Sequence, residues 1–199
     1  MPRIDYPDRE ALHPKVRDAL DALPADLNIF RISALAERNF DAMMRLGGTI
    51  LGRQQLADNL RELAILRVAE LSKARYEWVQ HETIARQTGC SDEQIQALAQ
   101  GNTAAPCFDD KERALLDFTD EVVRDVRPSD ASLTALRKHF TDREVMELTV
   151  AIGFYMLMAR IMEVSGIEIE DSAAKAILEK TNEEFRPGPD PETPGPDQV

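Results

Sequence analysis

Proline is nearly absent from the long central part of this chain. Between Ala25 and Arg186 it occurs only as Pro106 and Pro128. Proline interrupts helices because it lacks a backbone N–H and its ring clashes with the preceding turn. The proline-free spans are rich in Ala, Leu, Glu, Arg and Gln, which favour helix, and no alternating strand pattern competes with this. The sequence therefore predicts an all-α fold.

Capping residues and apolar periodicity divide the chain into about eight helices. Pro14 is suited to the first position of a helix. Ser91 followed by Gln94, and Thr141 followed by Glu144, are typical of capping boxes. The predicted helices cover residues 14–23, 32–50, 60–71, 75–87, 91–101, 109–126, 129–140, 141–164 and 171–185. The helix at 60–71 is apolar on most sides, which predicts a central, buried position.

Length and charge predict one domain followed by a short tail. The 199 residues suit a single helical domain at 1–185, and the Pro-rich acidic segment 186–199 is predicted to be disordered. The net charge of −12 disfavours nucleic-acid binding, which needs a basic surface. We expect no membrane span, because no apolar run approaches the roughly 18 residues that a span needs. The N-terminus does not resemble a signal peptide, so we expect a cytoplasmic protein.

His81, Glu77 and Glu62 are the candidate catalytic residues. Glu77 and His81 are four residues apart, so they share a helical face on which the carboxylate can orient the imidazole. This pairing suits a general acid or base, although an ordinary surface pair has the same spacing. Glu62 lies on the helix predicted to be buried, where a carboxylate is rare unless it is paired or functional. The alternative for Glu62 is a position at the helix end that faces water.

Other polar residues allow less specific predictions. Arg160 lies among apolar residues and is a candidate to bind a substrate carboxylate, with pairing at a subunit interface as the alternative. Glu62, Glu77 and His81 could ligate a metal in principle. The paired ExxH motifs of di-iron bundles are absent, and we expect neither a metal nor another cofactor. Cys90 and Cys107 have no CxxC or Cys/His spacing, which argues against a disulfide framework or a zinc site.

Two segments of the chain are informative together, RELAILRVA at 61–69 and YEWVQH at 76–81. They resemble the carboxymuconolactone decarboxylase family of the alkylhydroperoxidase-D-like superfamily, and the later segments GFYMLMAR and GIE are similar to the closing helix of that family. Peroxidases of the superfamily carry E-x11-C-x2-C-x3-H. An alignment on His81 places Glu62 at the Glu and puts Ala74 and Glu77 at the two cysteines. The resemblance therefore implies that thiol peroxidase chemistry lacks its nucleophile here.

The resemblance implies a cofactor-independent decarboxylase or related proton-transfer enzyme. Its substrate is expected to be a small carboxylated cyclic compound, of the 4-carboxymuconolactone type. In this interpretation His81 delivers the proton, Glu77 orients the His81 imidazole, and Glu62 takes part in the proton relay. Tyr76 and Trp78 are expected to line the pocket, with packing roles as the alternative. The alternatives for the whole chain are a non-enzymatic oligomeric binding protein and a peroxidase-related antioxidant protein. The family's trimers and hexamers imply a homo-oligomer.

Overall fold

The computed structural model describes residues 2–23 and 25–170, and in these ranges the regular structure is entirely helical. A short 3-10 turn at Arg9–Ala11 precedes nine α-helices. The helices are α1 (Pro14–Asp21), α2 (Asn28–Ser33), α3 (Glu37–Gly52), α4 (Asp58–Ser72), α5 (Arg75–Thr88), α6 (Asp92–Ala99), α7 (Asp110–Asp125), α8 (Asp130–Leu136) and α9 (Asp142–Ser165). The predicted all-α class is confirmed. The predicted helix at 171–185 and the tail at 186–199 lie outside the described residues.

Helix α4 is the centre of the fold, as its sequence predicts. Residues 60–69 are all buried, and the helix packs against α5, α6, α7 and α9. A helix that is apolar on nearly every side is stable only when other helices surround it. The polar side chains that α4 carries are therefore held inside the protein.

Local capping signals fix most helix boundaries. Both predicted capping boxes are present, at Ser91–Gln94 and at Thr141–Glu144. Gly89 ends α5 with a φ of 104°, in the left-handed region that glycine adopts without strain. These boundaries agree with the prediction because each depends on the chemistry of a few neighbouring residues.

The predicted single helix at 32–50 is wrong, because the chain turns between α2 and α3. Ile29 and Ile32 pack into the main core, whereas Phe40 packs into a second cluster with Leu12, Val16 and Ala34. The backbone N–H of His13 also donates to Glu37 at the start of α3, over 3.1 Å. No proline or glycine marks this turn, since tertiary packing into two clusters determines it.

Helix α9 corrects the prediction that no apolar run is long enough for a membrane span. Within the described part of the chain it is the single helix that meets the length and composition of a span, with a mean hydropathy of 1.6. Half of its apolar window is buried against the other helices, as in the core helix of a folded domain. Its length and composition are therefore weak evidence for a membrane position.

One glycine in the middle of α9 and another directly after its end provide a test of the backbone geometry. Gly166 has a φ of 61°, and an added Cβ would lie 2.9 Å from Cγ of Arg3. We expect Gly166→Ala to destabilise the protein by about 1–2 kcal/mol. Gly153 is helical, and a Cβ there would meet nothing within 4 Å. Gly153→Ala is therefore expected to raise stability by about 0.5–1 kcal/mol. Urea unfolding measures both; equal effects of the two substitutions would contradict the geometry.

Candidate active site

A buried histidine–carboxylate pair joins α4 to α5. Helix α4 ends at Ser72 and α5 begins at Arg75, and Lys73 between them has a left-handed φ of 54°. This tight turn packs the two helices side by side. His81 Nδ1 then lies 2.7 Å from Glu62 Oε2, and both residues are buried. Glu62 is fully buried, so its predicted alternative at a solvent-facing helix end is wrong.

Arg61 completes the charge arrangement around Glu62. Its Nε donates to Glu62 Oε1 over 3.3 Å, and its Nη1 donates to Asp58 over 2.7 Å. The Arg61 side chain is only 1% exposed. A buried guanidinium needs such partners because a desolvated charge without them is costly. Arg61 therefore balances the carboxylate that holds His81.

The contacts of His81 determine which ring nitrogen is available to a ligand. Its ring packs edge-on against the ring of Tyr155, with centroids 4.7 Å apart. When Glu62 is ionised, Nδ1–H donates to it, and the lone pair then lies on Nε2. Nε2 is therefore the atom that accepts or donates a proton in any reaction at this site.

His81 lines a cavity of about 340 Å³, within the range of roughly 300–1,000 Å³ usual for ligand pockets. Helices α2, α3, α5 and α9 contribute most of its wall, which is mainly apolar. The apolar lining includes Leu27, Ile29, Phe30, Met43, Met44, Leu51, Ile84, Phe154, Met158 and Met162. Gly47 permits the close approach of α3, since an added Cβ would lie 3.1 Å from Phe154. The cavity suits a small apolar molecule.

Glu77 lines the same cavity but does not orient His81, and this corrects the prediction from their spacing. His81 is held by Glu62, whereas neither carboxyl oxygen of Glu77 has a hydrogen-bond partner. The side chain is fully buried. Burial, with smaller effects of Glu62 and Glu163, raises the pKa of Glu77 well above its ordinary value. Glu77 is therefore a carboxyl group in the cavity wall without a hydrogen-bond partner among the described residues.

Tyr76 and Gln80 form a second polar part of the wall. The Tyr76 hydroxyl donates to Glu170 over 2.9 Å, and Gln80 Nε2 donates to the same carboxylate over 3.1 Å. Burial and the bond to Glu170 raise the pKa of Tyr76. Tyr76 lies at the cavity as predicted, and the segment after α9 holds it there.

Trp78 and Arg160 do not reach this cavity, in contrast to their predicted roles. Trp78 is half-buried and faces a different surface depression, formed by α5 and α6. Arg160 is exposed, and its Nη1 donates to the carbonyl of Met156 one turn earlier in α9. Arg45 is the only lysine or arginine among the described lining residues. It pairs with Asp41 at 2.9 Å, and both are exposed.

The two cysteines lie away from the cavity. Cys90 is buried, and its Sγ donates to the carbonyl of Asn59 over 3.3 Å. Burial raises the pKa of Cys90 to about 12. Cys107 is half-buried, and neither cysteine belongs to the cavity lining. The described residues also contain no group of three or more His, Cys, Asp or Glu side chains placed to hold a metal ion.

The raised pKa of Glu77 gives a pH-dependent prediction. A carboxyl whose pKa is higher in the folded state binds protons more tightly there, so its contribution to stability falls as pH rises above the unfolded pKa. Glu77→Gln removes that loss. Above about pH 4.3 the free energy of unfolding of the variant should therefore rise relative to that of the wild type. The difference should grow by up to about 1.4 kcal/mol per pH unit, until the pH reaches the pKa of Glu77 in the folded protein. Urea unfolding across this range measures the difference; a constant difference would contradict the buried, unpartnered state.

Residues 37–121 match the sequence model of the carboxymuconolactone decarboxylase family. The matched segment runs from α3 into α7 and includes Glu62, Glu77 and His81. Through this segment the chain is similar to the carboxymuconolactone decarboxylase family. The sequence has no significant match among curated proteins.

Solved structures share the fold. An Agrobacterium tumefaciens protein of unknown function, assigned to AhpD antioxidant defence, is 25% identical; the match covers 70% of this chain and 96% of that one, with a TM-score of 0.65. A peroxidase-related protein with an AhpD core from Ralstonia eutropha is 22% identical over 89% and 95%, with a TM-score of 0.73. The debrominase Bmp8, in a cysteine-to-alanine variant bound to 2,3,4-tribromopyrrole, is 17% identical over 90% and 96%, with a TM-score of 0.67. The last two likenesses show the fold alone, which is AhpD-like.

Sequence reasoning missed several residues of the site. Arg61 was noted only as part of a motif, although its place beside Glu62 in an apolar helix indicates a buried ion pair. Tyr155 lies within the segment GFYMLMAR, and it is both a core residue and a contact of His81. Gln80 lies one residue before His81 on the same helix face as Glu77, so the 3.6-residue period alone places it at the cavity.

Proposed function

We propose that this protein is a cofactor-independent proton-transfer enzyme that decarboxylates a small carboxylated cyclic compound. The observation that carries the proposal is the buried contact of 2.7 Å between His81 Nδ1 and Glu62 Oε2 in the wall of an apolar cavity. A carboxylate in this position orients the imidazole and stabilises its protonated form. The similarity of residues 37–121 to the carboxymuconolactone decarboxylase family supports the type of reaction.

The reaction needs an electron sink in the substrate and a proton donor in the protein. The bond between the ring and its carboxylate breaks, CO₂ leaves, and the electron pair forms an enolate with a carbonyl of the ring. Protonated His81 then transfers the proton from Nε2 to carbon and regains one from solvent. The apolar lining excludes water, which strengthens the electrostatic contacts in the site. Arg45 replaces Arg160 as the candidate contact for the substrate carboxylate.

A peroxidase-related antioxidant role is the second candidate. The Agrobacterium tumefaciens protein is assigned to antioxidant defence, and the Ralstonia eutropha protein is peroxidase-related. Thiol chemistry would require a reactive cysteine in the cavity. Ala74 and Glu77 stand where the peroxidase motif has cysteines, and burial raises the pKa of Cys90 to about 12. These facts favour proton transfer over peroxide reduction.

A homo-oligomer, as a trimer or hexamer, is part of the proposal. Large apolar side chains of α9 remain exposed on the single chain: Met146 (60%), Val150 (42%), Leu157 (43%) and Val164 (60%). Exposed apolar residues concentrated along one helix support an interface between copies.

A paired assay tests the function. CO₂ release is measured with 4-carboxymuconolactone and with 2-oxocyclohexanecarboxylate, in the presence of EDTA. Peroxide consumption is measured in parallel with dithiothreitol as the reductant. We expect CO₂ release above the uncatalysed rate from at least one acid, and no peroxide consumption above the blank. Peroxide consumption without CO₂ release would overturn the proposal in favour of the peroxidase role.

A further inference from the structure

Glu77 has no task in the proton relay, although its burial is costly. Both of its carboxyl oxygens are buried without a hydrogen-bond partner in residues 2–23 and 25–170, and the side chain lines the cavity. A buried polar group without a partner lowers the stability of the fold, and more so when it is charged. The cost and the position together indicate that a ligand supplies the missing partner.

The protein offers Glu77 no other partner among the described residues. His81 Nδ1 is engaged by Glu62, and Gln80 and Tyr76 are engaged by Glu170. The nearby charge is the carboxylate of Glu62, which has the sign that disfavours a second anion. A carboxyl group in these surroundings holds its proton, and it then has one O–H to donate.

We propose that Glu77 is a neutral carboxylic acid whose O–H donates to the carbonyl oxygen of a small cyclic ketone or lactone bound in the cavity. The inference deepens the proposed function and depends on it for the reaction. When CO₂ leaves, negative charge develops on this carbonyl oxygen, so a donor aimed at it stabilises the transition state more than the bound substrate. Glu77 would therefore be a catalytic residue, because its O–H stabilises the substrate carbonyl oxygen that takes up the electron pair.

The spacing on α5 fits this division of roles. Glu77 and His81 are four residues apart, about 6 Å along the helix axis, and both lie at the cavity. One small cyclic molecule can therefore place its carbonyl oxygen against Glu77 and the carbon that gains a proton against His81. The apolar side chains of α3 and α9 enclose the rest of that ring.

Binding of two matched probes tests the inference without turnover. Cyclohexanone has a carbonyl acceptor, and methylenecyclohexane has the same shape without one. We expect the ratio of their dissociation constants to shift against cyclohexanone by about tenfold in Glu77→Met relative to the wild type. Glu77→Gln retains an N–H donor and should keep a ratio near that of the wild type. An unchanged ratio in Glu77→Met, or no saturable binding of cyclohexanone to the wild type, would overturn the inference.

Infrared spectroscopy of the wild type keeps the test decisive if Glu77→Met does not fold. The C=O band of an unionised carboxylic acid should be present at neutral pH, absent in Glu77→Gln, and shifted on addition of cyclohexanone. A missing band would refute the neutral acid, and a band that cyclohexanone leaves unmoved would refute the contact.

If the ratio of dissociation constants shifts but no acid is decarboxylated, the proposed function is wrong and the inference about Glu77 stands. If an acid is decarboxylated and the ratio of dissociation constants is unchanged, the inference about Glu77 is wrong and the proposed function stands.

Discussion

Replacing Glu62 by Gln is expected to lower kcat for decarboxylation by about 10²–10⁴-fold, with little change in KM. The carboxylate accepts a hydrogen bond from His81 Nδ1 and so leaves the lone pair on Nε2. An amide at this place does not stabilise the protonated ring and can donate to Nδ1, which leaves a neutral ring whose Nε2–H is a far weaker proton donor than the imidazolium that the reaction needs. KM should change little because Glu62 does not belong to the cavity lining.

Glu82→Gln is the matched control for this substitution. Glu82 follows His81 directly in the chain, but it pairs with Arg86 over 2.8 Å on the outer side of α5. It should retain nearly the full rate. The rate is compared in folded protein, as judged by circular dichroism. A Glu62→Gln variant that folds and turns over within a few-fold of the wild type would show that the carboxylate does not set the state of His81.

Arg61→Met is expected to destabilise the protein by about 3–5 kcal/mol. The guanidinium is 1% exposed and is bonded to Glu62, which is fully buried. Methionine fills a similar volume but leaves the carboxylate without this charged partner, and an uncompensated buried charge is strongly unfavourable. Urea unfolding measures the loss of stability.

Two further variants separate the ion pair from simple packing. In the double variant Arg61→Met with Glu62→Gln the buried charges are both gone, so the loss should be smaller than the sum of the two single losses. Arg86→Met removes a guanidinium that is about half exposed, and it should cost no more than about 1 kcal/mol. Additive losses in the double variant would refute the buried pair.

The contact between Glu62 and His81 could be predicted because the sequence around each residue indicates its position. Glu62 lies in a helix that is apolar on nearly every side and is surrounded by other helices, so its side chain has to face a partner inside the protein. His81 lies on the next helix, and a short turn forces the two helices to pack side by side. The capping boxes at Ser91 and Thr141 were equally predictable, since they depend on residues only three positions apart.

The errors have physical causes that differ from residue to residue. The spacing of Glu77 and His81 shows that they share a face, but it does not show which partner His81 chooses when Glu62 packs closer. Tyr76 and Trp78 could not both line the cavity, because residues two apart point to nearly opposite sides of a helix. The period of α5 alone therefore excludes Trp78. The turn between α2 and α3 has no local signal, since it follows from packing into two separate clusters.

The central claim is that His81 transfers a proton within the cavity and that no thiol takes part. It is tested most directly in a chain with Cys90→Ser and Cys107→Ser, with and without His81→Gln, by the rate of CO₂ release from the better of the two acids named above. The account predicts that the cysteine-free chain retains the wild-type rate and that adding His81→Gln lowers it by about 10²-fold or more. Loss of turnover in the cysteine-free chain, or equal rates with and without His81, would contradict it.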